Sequence, residues 1–535
     1  MDMSHRGAHA LGPAQSRAGG SRSARAALAL LLATIVACQP AAPAGQASPA
    51  ATPAAEKLTF VQSATIDSLD PQVTRRNEGQ AVTLNIHEGL VQRDPKTMQP
   101  QPALAVSWTN PDPKTWVFKL RTGVKFQNGE PFDAQTVKYN FDRIVRPDLN
   151  SATGATLVPI IDRVDVVDDA TVRIVTKTPS AWLLERLMGV RFVPPKETAE
   201  KGNDYVAGHP VGTGPYKFVE WVPAQRVVLE RNDAYWGPKP AYRQVIFREI
   251  QEATTAIAEL LTGNVDIIQL VPTDQIGVLN SSGKATVKVQ PTQVLIEVPL
   301  DALGRTGPTP FQDKRVRQAA NYAIDKEAIA KNLLGAGTQL ATSFLSPVVF
   351  GYDPSLKPYP YDQAKAKQLL AEAGYPTGFA AELKVYPLGS YVDSKVLGEA
   401  IISDLGKVGI RASLKQVSSA DIGNVIRGGQ AGPMYLRQNE CATSFDAAIC
   451  FSFYQKGSIF AYFSSDRLEE LRLKAEATTD QTDRLRQYAE IQRYMFDEAP
   501  TIFGWTGLVF VGVGNKVEWA PQADNLARLF LAKPK

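Results

Sequence analysis

Trp116-Val117-Phe118-Lys119-Leu120-Arg121-Thr122-Gly123-Val124-Lys125-Phe126 is the stretch on which the fold turns. Trp116, Phe118 and Leu120 alternate with Val117, Lys119 and Arg121, a period-2 pattern that puts the aromatic side chains on one face of a strand. That stripe reads as core rather than as a ligand platform, and Asn128-Gly129 marks the turn beyond it. Outward from here the period changes to that of a helix. Ala366, Leu369, Leu370 and Ala373 fall at i, i+3, i+4 and i+7, after an N-cap at Asp362 and before Gly374 and Pro376. A second helix is expected over Ala253–Thr262, stopped by Gly263 and followed by an apolar strand over 265–270. Leu397, Ile401, Leu405 and Val408 mark a third, ended by Gly409 and followed by a strand over 410–417. Asp325 reads as the cap of a further turn at Lys326-Glu327-Ala328-Ile329. Strands alternating with helices define a mixed α/β class.

The chain has 535 residues, 44% hydrophobic and 21% charged, which is an ordinary globular composition. At roughly 150 residues per domain the length suggests about three domains and excludes a small adaptor. The formal charge of +4 comes mostly from the first 37 residues, where Arg6, Arg17, Arg22 and Arg25 stand against Asp2; the remainder holds 54 basic and 53 acidic residues. A nucleic-acid-binding role would need a basic excess that this remainder lacks.

Residues 26–37 form an apolar run of 12 behind an arginine-bearing, acid-poor segment, the pattern of a signal-peptide core and too short to span a bilayer. The run ends at Ile35-Val36-Ala37-Cys38, and small residues before a cysteine resemble a bacterial lipobox. Residues 1–37 are therefore read as a leader and Cys38 as a lipidated mature N-terminus; the alternative is a free cysteine in an ordinary cleaved leader. The Ala- and Pro-rich stretch 39–56 has no periodicity and reads as a disordered tether. At ~3.1 Å per residue it would reach roughly 55 Å from the lipid. No later segment approaches 18 consecutive apolar residues.

An ordered set of motifs then resembles the extracytoplasmic solute-binding proteins of ABC importers, peptide/nickel family 5. These are Ser68-Leu69-Asp70-Pro71, Ile86-His87-Glu88-Gly89-Leu90-Val91, Pro102-Ala103-Leu104-Ala105 with Ser107-Trp108, and Phe118 to Phe126 with Gly129, Pro131, Ala134 and Val137. Gly212-Thr213-Gly214-Pro215-Tyr216, Tyr235-Trp236-Gly237 and Gly263 with Val265-Asp266 follow. Val316-Arg317-Gln318-Ala319, Tyr322-Ala323-Ile324-Asp325 and Glu372-Ala373-Gly374-Tyr375-Pro376 complete the set. The resemblance implies a two-lobed periplasmic-binding-protein (Venus-flytrap) fold with an extra sub-domain inserted in the first lobe. Lobe one would take 57–95, 206–299 and 500–535, the insert 96–205 and lobe two 300–499. Read physically, Gly212 and Gly214 suit a tight turn rather than a phosphate loop, which would need helix N-terminal amides at another spacing.

In peptide-binding relatives, a loop of lobe two carries a glycine-tryptophan pair and then an aspartate that holds the peptide amine. The corresponding stretch here resembles Tyr435-Leu436-Arg437-Gln438-Asn439-Glu440-Cys441, without the Gly-Trp pair. Glu440 is the nearest carboxylate for an amine, whereas Arg437 offers a pairing for an acidic solute; Gln438 and Asn439 lie between them. By the same resemblance Trp505 lines the pocket or is buried in the core, and Thr65 and Asp67 border the cleft or serve structure alone. Cys441 and Cys450, in an oxidising compartment, form either a disulfide worth ~2–3 kcal/mol or two free thiols.

Only His87 and His209 remain beyond the leader, neither in a metal-ligand spacing, and no paired-carboxylate motif stands out. No enzyme activity, cofactor or resident metal is expected, and no Gly-x4-Gly-Lys-Ser/Thr loop occurs. The reading is a monomeric, lipid-anchored periplasmic receptor that captures a peptide or peptide-like solute between two lobes. It would hand that solute to an ABC permease powered by separate ATPase subunits. The alternatives are a non-peptide solute (an opine, a glycoside or a metal chelate) or a chaperone-like interaction protein.

Overall fold

A computed structural model describes residues 55–535 apart from 336, 389–391, 440, 442 and 443. The leader, Cys38, nearly all of the tether and Glu440 lie outside the described residues. Ala55 and Glu56, read above as tether, begin the first strand, Ala55–Gln62.

Two long antiparallel strands, Ala285–Pro299 and Thr501–Gly514, connect the halves of the molecule. From Val294 to Pro299 and from Thr501 to Val513 every residue is buried, so both read as near-continuous apolar runs rather than alternating ones. They sit in an eight-stranded sheet ordered Arg437–Asn439, Ala285–Pro299, Thr501–Gly514, Ile267–Ile268, Ala55–Gln62, Tyr242–Glu249, Arg226–Arg231, Tyr216–Val222. Phe60, Phe247 and Trp519 meet edge-to-face in the core beneath its first-lobe side. A separate parallel sheet places Phe379–Val385 between Ile410–Gln416 and Met434–Tyr435. A separate antiparallel sheet orders Ala105–Asp112, Thr115–Leu120, Thr171–Thr176 and Ile161–Asp168. Trp116, Phe118 and Leu120 all point into its core, as their alternation requires.

Local signals translate closely into elements. Asp362 accepts from Lys365 N at 2.8 Å and caps Gln363–Glu372; Asp325 accepts from Ala328 N at 2.9 Å. The other two expected helices are Ala253–Thr262 and Ser394–Lys407. The strand expected over 265–270 shortens to Ile267–Ile268, because Leu270 turns to φ 61° and leaves the ladder. Gly378 and Gly409 meet so closely that a Cβ on Gly378 would lie 1.8 Å from the Gly409 carbonyl oxygen.

The crossing strands are irregular where they pass between lobes. Their register shifts between Pro291 and Leu295 and again between Ile296 and Val298. Pro291 has no N–H to donate, and Thr292 Oγ1 instead donates to the Gly507 carbonyl at 3.0 Å. Such bulges bend a strand pair locally.

Candidate functional site

A cleft of about 650 Å³ opens between three walls. One is the turn and helix from Pro71 to Gln80, the second comprises Ala152, Thr153, Thr156 and the segment from Glu185 to Arg191, and the third is Ser444 with Ile449 of the second lobe. Behind it lies a smaller chamber of about 110 Å³; the two share Asn77, Gln80, Arg93, Gly189 and Arg191.

The first wall is fixed by the Ser68-to-Pro71 motif. Asp70, 1% exposed, pairs with Arg143 at 2.5 Å, and Arg143 also donates to Gln72 Oε1 at 2.6 Å. Gln72 Nε2 reaches Asn140 Oδ1 at 2.6 Å and the Arg191 carbonyl at 3.0 Å. The motif thus docks the cleft wall onto the helix Ala134–Ile144. Nothing near Asp70 in sequence announced Arg143. The available signal was an arginine beside Asn140 on the face of a helix that otherwise buries Val137, Phe141 and Ile144.

The opposite walls touch through Glu185, on the short helix Leu183–Leu187. Its carboxylate accepts two hydrogen bonds from Arg93, at 2.6 and 3.0 Å, and across the cleft accepts Phe445 N at 2.7 Å and Ser444 Oγ at 3.2 Å. The Arg93 guanidinium also lies 4.6 Å from the Phe445 ring centroid, and Met98, Phe445 and Ala523 form a small buried cluster. The second-lobe rim is braced from behind. Asp446 accepts from Arg484 Nη2 at 2.8 Å and from Tyr488 OH at 3.0 Å while capping Ala447–Cys450. A disulfide joins Cys441 to Cys450 across this loop.

The chamber behind the cleft is lined in part by His87 and Glu88. Glu88 accepts from Thr213 Oγ1, Tyr235 OH and Trp236 Nε1, each at 2.8 Å, and burial pushes its pKa up to about 7. This one carboxylate ties together three of the sequence motifs. His87 Nδ1 lies 3.0 Å from the Phe192 carbonyl oxygen, and burial lowers its pKa to about 4. Gly212 closes the same corner: a Cβ there would sit 2.0 Å from the Ile86 carbonyl oxygen.

The residues singled out from the sequence divide. Arg437 requires correction as a solute anchor: it is buried and donates from Nη2 to Glu297 Oε1 at 2.5 Å and from Nε at 3.0 Å. The pairing of Arg437–Asn439 with Ala285–Pro299 places the two side by side, so the charge is consumed within the protein. Asn439 is buried in the same network, donating to Glu297 Oε1 at 3.0 Å. Of the two readings of Trp505, core burial is the one observed: it is 1% exposed, with Nε1 donating to the Lys326 carbonyl at 2.9 Å. Gln438 is half-buried, its N–H 3.4 Å from Tyr386 OH. Asp67 accepts from Thr74 Oγ1 at 2.6 Å and Arg75 N at 2.8 Å, holding the turn of the first wall, and Thr65 Oγ1 lies 3.5 Å from Arg76 Nη1 at its edge. Neither Thr65 nor Asp67 lines the cavity itself. Sequence reasoning missed Arg93, Glu185, Arg186 and Arg191, which do. Among the described residues no group of three His, Cys, Asp or Glu could hold a metal ion, and no helix is long and apolar enough to cross a membrane.

A two-lobed α/β body with an irregular crossing strand pair and a cleft between separate parts of the chain is an architecture suited to a solute receptor. Residues 99–449 match the family described as bacterial extracellular solute-binding proteins, family 5 Middle. The glutathione-binding protein GsiB of Pectobacterium atrosepticum is 30% identical over 471 residues, covering 84% of this chain and 88% of that one. GsiB of Salmonella typhimurium is 27% identical over 476 residues, with the same coverage. Among solved structures, HbpA2 from Haemophilus parasuis shares the fold with a TM-score of 0.82 at 23% identity, over 90% of this chain and 100% of that one. NikA from Brucella suis in complex with Fe(III)-EDTA gives 0.76 at 26% identity, over 90% and 100%. The DppA protein from Helicobacter pylori in complex with peptide STSA gives 0.71 at 25%, over 90% and 98%. The chain belongs to family 5 of the bacterial extracellular solute-binding proteins, and it is a solute-binding component of an ABC importer. These relatives are named as binding proteins rather than enzymes.

Proposed function

We propose that this protein is a periplasmic receptor, anchored through a lipid on Cys38 and acting as a monomer, that captures a peptide or peptide-like solute in the interlobe cleft. It then presents the closed form to a membrane permease. The division into lobe one (57–95, 206–299, 500–535), insert (96–205) and lobe two (300–499) belongs to the same reading. The observation that carries it is the cleft itself, about 650 Å³ and bounded by three separate parts of the chain, two of which touch across it through Glu185 and Phe445. Its volume falls in the range that encloses small ligands. A solute that contacts both sides favours the closed form by its differential affinity for it. Support for the ligand class comes from relatives named for glutathione or solved with a peptide. The missing Gly-Trp pair and the internal engagement of Arg437 favour a solute held differently from an ordinary peptide.

The test is thermal denaturation of the protein lacking its leader, with glutathione, short peptides, opine-like compounds and metal chelates. A rise in melting temperature with at least one class supports the receptor; none across all classes contradicts it.

A further inference from the structure

Arg191 is 7% exposed and stands where the cleft meets the chamber behind it, lining both. Among the described residues its guanidinium has neither a carboxylate within ion-pair distance nor a hydrogen-bond acceptor. The nearby carboxylates are already engaged. Glu185 holds Arg93, and Asp524 holds Arg528 through bonds of 2.9 and 2.7 Å. Among the described residues, the guanidiniums of Arg93, Arg191 and Arg528 therefore stand beside two carboxylates, Glu185 and Asp524. Burial lowers the Arg191 pKa to about 10, which leaves it charged at neutral pH.

A buried, unpaired charge is costly and is ordinarily paired or removed. Arg186, on the same wall, adds to the imbalance. Its Nε is buried without an acceptor, and the guanidinium lies 5.7 Å from the Trp182 ring centroid. Among the described residues Arg76, at the mouth, has only Thr65 Oγ1 at 3.5 Å, while Arg75 is held by the side chain and carbonyl of Asn150. Against these, among the described residues that line it, the cleft sets Glu78 as one further acid.

We propose that the cleft selects solutes carrying carboxylate groups, and that Arg191 is the buried guanidinium that pairs with one of them at the junction of cleft and chamber. A carboxylate supplies two acceptor oxygens in the planar geometry a guanidinium offers, so one solute group satisfies the orphaned donors. Arg186 and Arg76 then favour a second negative group toward the mouth. The inference rests on reading this cleft as the solute site.

The test uses matched pairs at pH 7, each a free acid and its ester: glutathione and its diethyl ester, Ala-Glu-Ala and its diethyl ester, and an N-carboxyethyl amino acid and its diester. Calorimetry is expected to find binding of at least one acid and at least 30-fold weaker binding of its ester. Arg191→Gln should weaken the acid 30-fold or more, Arg191→Lys by less, and Arg186→Gln by about threefold to tenfold. Solute-free Arg191→Gln should melt at or above the wild-type temperature, since it removes an unpaired buried charge, whereas loss of a merely structural arginine would lower it. Esters binding as tightly as acids, or Arg191→Gln holding the acid at wild-type affinity, would overturn the proposal while leaving the receptor reading intact. Absence of binding by both members of every pair would count against the receptor reading and take this inference with it.

Discussion

Glu185 Oε1 accepts a 2.7 Å hydrogen bond from the backbone N–H of Phe445, joining residues 260 positions apart on opposite walls of the cleft. The same carboxylate holds Arg93 at the end of the strand Val91–Arg93, so a single side chain couples two of the walls to that strand. A charged acceptor shared in this way makes stronger hydrogen bonds than a neutral one. Glu185→Gln should therefore favour the open form and weaken solute binding by about tenfold, roughly 1.4 kcal/mol. Calorimetry checks the affinity, and melting of the solute-free variant separates loss of closure from loss of folding.

His87 and Glu88 are neighbours whose titrations oppose each other. Burial raises the Glu88 pKa to about 7, so its contribution to stability is full below the unfolded carboxylate value and is lost as pH rises through 7. Burial lowers the His87 pKa to about 4, so its contribution is full above the unfolded imidazole value and is lost as pH falls through 4. Each shift corresponds to about 3 kcal/mol. Between pH 4.5 and 6.5 the two cancel, and the pair should leave the melting temperature nearly flat. Glu88→Gln should make stability rise with pH across that window, and His87→Gln should make it fall; melting curves at half-unit pH steps distinguish the two.

Arg437 and Trp505 should behave as structural residues. Removing Arg437 strands the buried Glu297 carboxylate, so Arg437→Ala should cost about 3–5 kcal/mol of folding stability. Trp505→Ala opens a cavity in the core and should cost a similar amount, about 3–5 kcal/mol. Urea denaturation measures both. For either variant, solute affinity within twofold of wild type under native conditions is the expected companion result.

These two residues mark where sequence reading stops. Caps such as Asp362, and alternations such as Trp116 with Phe118, are local, and the structure realises them within a residue or two. Whether Arg437 meets a solute or Glu297 depends on a strand pairing across 140 positions of sequence. The cleft arginines were invisible for a related reason. Arg186 and Arg191 look like any solvated charge until the carboxylates that surround them are found already paired. The family motifs, by contrast, were legible as a set, but in the structure they are chiefly structural: Asp70 meets Arg143, and Glu88 gathers Thr213, Tyr235 and Trp236.

The Cys441–Cys450 disulfide closes a short loop that contains Ser444 and Phe445. Chain-entropy arguments value such a loop at about 2–3 kcal/mol. The Cys441→Ser, Cys450→Ser double variant should lower stability by that amount, read by urea denaturation. It should also loosen the rim, read as faster solute dissociation in stopped-flow displacement.

The central claim is that solute binding closes the two lobes on each other. It is tested most directly by the distance between spin labels placed at Thr156, which lines the cleft, and Lys456, in the lobe proposed for 300–499, in protein that begins after Cys38. With saturating solute the account predicts a single narrow, shorter distance, replacing a broader and longer distribution in the solute-free protein. An identical distribution in both states, with binding confirmed on the same sample, would contradict it.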